Sequence, residues 1–323
     1  MVWIPFWIVV VIALTAISGA AHGDAQAQTA DIGSRGPSFS ANGVDSPTRD
    51  KPQSKLWFND GSWWGVLFDK TSEEFRIHRY DEVAHAWTDT GATVDERNNS
   101  LADALWDGNH LYVASAGTRK ANASDSGRFS RYSYDPTSDT YTLDEGFPIT
   151  VTEGGMEAIV LERDTTGQFW VTYTKGSEVL LNHSRGDAKE WGEPFVLPMA
   201  GANNVDPDDI SSVVAFDSKI GVMWSNQTDE AMYFATHNDG EPDSVWQLQT
   251  ANQGPGVADD HINLKSLQSD ASGQVFAAVK TEMDKTGRLD APQIFLMVRG
   301  LDGEWTTHVF SRVADGHTRP IVM

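Results

Sequence analysis

An aspartate-bearing turn flanked by short runs of alternating apolar residues recurs along the chain about every fifty residues. This period restricts the fold more than any other feature. The turn aspartates are Asp60, Asp107, Asp164, Asp217 and Asp270, spaced 47, 57, 53 and 53 residues apart. Lys55-Leu56-Trp57-Phe58 precedes the first turn and Trp63 to Phe68 follows it. Matching pairs flank the others: Ala102–Trp106 with Leu111–Ser115, Ala158–Leu161 with Phe169–Tyr173, Ser212–Phe216 with Ile220–Trp224, and Ile262–Leu267 with Val275–Val279. Period-two alternation around an Asp/Gly turn is the mark of a β-hairpin.

One hairpin needs roughly 15 residues, so each unit has room for a second. Phe75–Tyr80 leads into Trp87, Phe129–Tyr134 into Tyr141, Val179–His183 into Trp191, Ala231–Ala235 into Trp246, and Ile294–Val298 into Trp305. Each unit therefore predicts four strands. Such a unit cannot cover both of its faces alone, so neighbours must stack. For short antiparallel sheets the radial solution is a β-propeller. The expectation is an all-β propeller of four-stranded blades, five complete and a sixth beginning at Thr318, with six or seven when complete.

Composition agrees. The 323 residues include 12 Trp, 14 Phe, 7 Tyr and 28 Gly, a mixture suited to many short strands and tight turns, and no Cys. Disulfides and thiolate metal sites are therefore excluded. The formal charge is −22, with 24 Lys+Arg against 46 Asp+Glu and no basic cluster. Nucleic acid, whose binding rests on clustered cations at phosphates, is not an expected partner.

Residues 1–27 read as a signal peptide. An apolar run from Val2 to Ile17 leads to Ser18-Gly19-Ala20-Ala21 and Ala25-Gln26-Ala27, with cleavage expected after Ala21 or Ala27. An uncleaved anchor is the alternative, because no Lys or Arg precedes the run. Residues 28–54, polar and rich in Gly, Ser and Pro, read as a flexible linker or N-terminal arm. The propeller is expected over 55–323, cut short at its C-terminal side, the alternative being that the arm before Lys55 supplies the strands that close the ring. The expected location is extracellular or periplasmic.

The units resemble those of the sialidase-like (BNR-repeat) propellers, through Asp164-Thr-Thr-Gly167-Gln-Phe-Trp170 and Asp270-Ala-Ser-Gly273-Gln-Val-Phe276. The resemblance is architectural. These turns carry one residue more between Asp and Gly than the family's Asp boxes, and they fall in the first hairpin of the unit. It implies a secreted protein that acts on or binds carbohydrate. It does not extend to a sialidase site, since only Arg97 and Arg319 lie near blade approaches and an arginine triad cannot be assembled.

In a propeller, the loop leading into each inner strand points polar residues toward the central axis. These loops nominate Asp103, Glu157, Asp209, Asp260 and His261 as catalytic candidates, since glycoside cleavage needs paired carboxyl groups in different environments. Arg97, Lys265, His317 and Arg319 are substrate-binding candidates. A lyase would instead use His261 or His317 as proton abstractor beside Arg319. Asp206 and Asp208 are candidate ligands for a structural calcium ion; no other cofactor is expected. The competing reading is a non-catalytic glycan- or protein-binding propeller, since fold does not dictate function. Substrate and oligomeric state are not legible from the sequence.

Overall fold

The computed structural model describes residues 51–117, 125–264 and 273–322. These form an all-β body of five antiparallel sheets in chain order, and no α-helix occurs among them. Blade 1 is β1 (Leu56–Asn59), β2 (Ser62–Asp69), β3 (Glu74–Asp81) and β4 (Ala86–Asp95). Blade 2 is β5 (Ser100–Trp106), β6 (His110–Gly117), β7 (Arg128–Asp135) and β8 (Thr140–Leu143), with β9 (Ile149–Thr150) also paired to β7. Blade 3 is β10 (Val160–Arg163), β11 (Phe169–Lys175), β12 (Glu178–His183) and β13 (Phe195–Val196). Blade 4 is β14 (Ser211–Phe216), β15 (Lys219–Asn226), β16 (Ala231–Asn238) and β17 (Gln247–Gln253). Blade 5 is β18 (Ile262–Asn263), β19 (Val275–Lys280), β20 (Pro292–Arg299) and β21 (Trp305–Arg312).

The turns work as their residues dictate. Asp60 and Gly61 join β1 to β2 with φ of 49° and 71°, the double left-handed conformation of a tight hairpin. Asp164 organises the β10–β11 turn from a buried position. Its Oδ1 accepts the N–H groups of Thr166 and Gln168, both at 2.9 Å, and its Oδ2 accepts the indole N–H of Trp170 at 2.9 Å.

Stacking is visible in where the apolar residues go. Four core clusters each join two successive blades: Trp64, Phe68 and Ile77 meet Val113 and Tyr132 between blades 1 and 2. Tyr112 and Phe129 meet Phe169 and Val171 in the next interface. Trp170 and Leu181 meet Val222 and Trp224, and Met223 and Phe234 meet Ile262, Ala277 and Met297. Second strands are buried on both faces, as in β15, whereas fourth strands such as β21 are mostly exposed. The gradient follows from radial packing, which crowds inner strands and spreads outer ones. Trp64, Trp170 and Trp224 are fully buried, and each indole N–H reaches an oxygen, of Asn59, Asp164 and Gly201 respectively. At Gly221 the backbone runs so close to Phe234 that a Cβ would lie 2.3 Å from its ring, which fixes glycine there.

Three features differ from expectation. First, residues 51–54, read as part of a flexible linker, include the buried Lys51 and Gln53. Ser54 O accepts from Ala104 N at 2.8 Å and Pro52 O accepts from Asn263 Nδ2 at 3.2 Å, so this segment bridges inner strands of blades 2 and 5. Second, the last strand of blade 3 does not start at Trp191 but is the two-residue β13, because Pro194 and Pro198 remove ladder donors on either side of it. Third, Thr318 to Val322 form no strand; Val322 N donates to Asn263 Oδ1 at 3.1 Å. Asp270 and the residues expected to complete the first strand of blade 5 lie outside the described residues.

Replacing Asp164 by Ala leaves the buried Trp170 N–H without its acceptor and removes the turn's organiser. Urea denaturation is expected to show a loss of about 2–3 kcal/mol, and Asp164→Asn, which keeps an acceptor oxygen, less than half of that loss.

Candidate functional site

The loops before β1, β10, β14 and β18 converge on one axis. Lys51 in the first is buried, and its Nζ lies 2.7 Å from Glu157 Oε1, in direct contact with Asp260 Oδ2, and 3.9 Å from Asp208 Oδ1. Carboxylate oxygens of Glu157, Asp208 and Asp260 lie within 4.8 Å of one another. Each comes from a different blade approach: Glu157 just before β10, Asp208 before β14, Asp260 before β18. Glu157 and Asp260 are largely enclosed, whereas the Asp208 side chain is 53% exposed.

A second layer lies behind Asp260. His261 Nδ1 is 2.6 Å from both Asp259 Oδ1 and Asp260 Oδ1, and Lys280 Nζ, from the end of β19, is 2.7 Å from Asp259 Oδ2 and 3.1 Å from Asp284 Oδ2. Burial opposes charging of His261, but its hydrogen bonds to the two aspartates prevail and raise its pKa. Burial likewise opposes ionisation of Asp260, but His261, Asp259 and Lys51 hold it well below the usual carboxylate range. Asp208 moves the other way: burial comes first, and the neighbouring Asp260 and Glu157 add to it against the pull of Lys51. The site thus holds one carboxyl group whose proton affinity is raised beside one whose proton affinity is lowered.

The other sequence candidates lie elsewhere. Asp103, in β5 and fully buried, accepts Ser54 N and Leu161 N, each at 2.7 Å, and so ties the arm to β10. Asp209, also fully buried, accepts backbone N–H groups of Asp206 at 2.7 Å and Gln227 at 3.0 Å. Arg97 forks onto Asp95, with Nε to Oδ1 at 2.8 Å and Nη2 to Oδ2 at 2.5 Å, and donates to Ser126 O at 2.8 Å. His317 and Arg319 are exposed, His317 beside Phe310. Lys265 lies outside the described residues. Of the calcium candidates, Asp206 Oδ1 accepts Asp208 N at 3.0 Å in a local turn, and Asp208 faces the Lys51 cluster. Lys51 already supplies a positive charge among the acidic groups. Sequence reading missed Lys51, in a segment with a linker's composition. It also missed Lys280, whose signal was a lone cation ending the apolar run Val275–Val279.

No family model matches the chain, and no curated protein matches it. Solved structures do match. A triple arginine-to-alanine mutant of AofleA from Arthrobotrys oligospora aligns at 15% identity over 81% of this chain and 73% of that one, with a TM-score of 0.52. The GH43_1 enzyme from Xanthomonas citri complexed with xylotriose aligns at 10% identity over 84% and 93%, TM-score 0.47. The α-L-arabinanase of Penicillium chrysogenum complexed with arabinobiose aligns at 13% identity over 76% of each chain, TM-score 0.46. At these identities the likeness concerns the fold.

The ion pairs make stability pH-dependent in a definite sense. Asp260, with a lowered folded pKa, contributes above its unfolded value near ~3.9 and loses that contribution as pH falls. His261, with a raised folded pKa, contributes fully below its unfolded value near ~6.5 and loses it as pH rises through the folded value. Lys51→Met strands two buried carboxylates and is expected to cost about 3–5 kcal/mol at neutral pH. Urea midpoints of wild type and variant should converge as acid protonates those carboxylates.

Proposed function

We propose that this chain is an exported propeller that acts on carbohydrate, with Glu157, Asp208 and Asp260 as its acid–base groups at the axial end. The observation that supports this reading most is the split in proton affinity within the trio. Asp208 is pushed up and Asp260 held down, with oxygens no more than 4.8 Å apart. Two carboxyl groups in environments that drive their pKa values apart form the pattern of glycoside cleavage. Asp208, the more exposed, is the proton donor to the leaving oxygen. Asp260, whose pKa is held down by His261, Asp259 and Lys51, meets the developing positive charge at the sugar carbon, with Glu157 beside it. The spacing is nearer the about 5–5.5 Å of pairs that work through a covalent intermediate than the about 6.5–9.5 Å of pairs that activate a water.

One observation favours a second reading, glycan binding without turnover. Lys51 Nζ occupies the space between the carboxylates and is itself buried, so a sugar reaches them only where the arm yields. A sialidase-type site gains no support, because Arg97 forks onto Asp95 and Arg319 is exposed.

Secreted protein screened on neutral polysaccharides and aryl glycosides separates the readings. Turnover that falls about 10²-fold or more in Asp208→Asn, with Asp260→Asn also impaired, is expected. Wild type and both variants equally inert while glycan binding persists would leave only the binding module. Mature protein sequenced from its N-terminus should begin after Ala21 or Ala27.

A further inference from the structure

Away from the axial cluster, a cleft of about 950 Å³ opens between the 149–154 segment, the end of β11 and the Trp191–Pro194 loop. Its walls combine an aromatic ring, an ion pair and an unused hydroxyl. Trp191 is half-buried and held fast: its Nε1 donates to Ala188 O at 3.1 Å and its ring packs 5.1 Å from Phe129. Lys175 Nζ pairs with Glu153 Oε2 at 2.5 Å on the cleft's rim, where Glu193 also lies exposed. Tyr173 is 98% buried, yet it lines this cleft, and its hydroxyl has no hydrogen-bond partner among the described residues. A hydroxyl on the wall of the cleft offers a hydrogen bond to a ligand oxygen.

We propose that this cleft is a binding site for a neutral sugar residue of a glycan. A fixed indole face suits the C–H face of a sugar ring. The Tyr173 hydroxyl, the Glu153 carboxylate and the Lys175 ammonium suit its hydroxyl groups, which both donate and accept. Charge selects the class. Two carboxylates, Glu153 and Glu193, face one ammonium that is already paired, so the carboxylate of a uronic or sialic acid is repelled. Glu153 also lies four positions before Glu157, so one short segment links the cleft to the axial cluster. The inference rests on the carbohydrate reading above but not on catalysis.

Calorimetric titration of the full secreted chain with neutral xylo-, arabino- and gluco-oligosaccharides, and with oligogalacturonates as the charged counterpart, tests it. At least one neutral series is expected to bind and the oligogalacturonates not. Trp191→Ala should weaken the binding about tenfold or more, and Tyr173→Phe and Glu153→Gln several-fold. Should Trp191→Ala fail to fold, the other two, which keep the packing, decide. Turnover of a small aryl glycoside should be lost in Asp208→Asn, whose oligosaccharide affinity should be intact. Absence of binding by every neutral series, equal binding of oligogalacturonates, or unaltered affinity in the cleft variants overturns the cleft. Unaltered turnover in Asp208→Asn overturns the catalytic reading and leaves the cleft standing.

Discussion

A buried ammonium group balances the charge at the centre of this structure. Two carboxylate oxygens about 5 Å apart repel by roughly 3 kcal/mol at an effective dielectric near 20. Three from three different loops cannot stay together without a compensating cation. Lys51 is that cation, reaching Glu157 and Asp260 from a segment 209 positions away from the latter. Behind it His261 and Lys280 neutralise Asp259 and the far side of Asp260. Three basic side chains, Lys51, His261 and Lys280, thus face five carboxylates, Asp284 included, and Asp208 is the cluster member most open to water. Its raised proton affinity comes first from its own burial, to which Asp260 and Glu157 add against the pull of Lys51.

The sheets create this problem and also its solution. Each blade buries one face against the next, so inner strands crowd toward a common axis and the loops feeding them meet there. Loops that begin strands are polar because turns use Asp side chains as backbone acceptors. Convergence alone would therefore gather acidic residues in many such proteins. What separates these carboxylates is the partner each one finds. Asp103 accepts backbone N–H groups from the arm and β10, and Asp209 from Asp206 and Gln227. Glu157 and Asp260 find an ammonium.

This distinction marks the limit of what the sequence discloses. The fifty-residue period, both hairpins of each unit and the turn aspartates are local patterns, and the blades follow from them. The fully buried Trp64 and the half-buried Trp63 beside it obey strand alternation. Asp103, Asp209 and Asp260 look alike in sequence, each an acid at or just before an inner strand, and only tertiary pairing tells them apart. Lys51 was illegible for the same reason: its neighbours Asp50, Pro52 and Ser54 have a linker's composition, and its partners come from other blades. The short β13 was legible in principle, since Pro194 and Pro198 forbid a longer ladder.

The arm and the cleft bear on one another through the segment from Ile149 to Glu157. Its first part lines the cleft and its last residue is held by Lys51. Asn182 Nδ2 donates to Val151 O at 2.7 Å, and Gly127 N donates to Thr152 Oγ1 at 3.0 Å, so the middle of the segment is fastened to blades 2 and 3. Occupancy of the cleft therefore has no slack to be absorbed before Glu157. A ligand that favours one placement of this segment must favour, by the same free energy, one state of the Lys51 contact, because coupling between two sites is reciprocal.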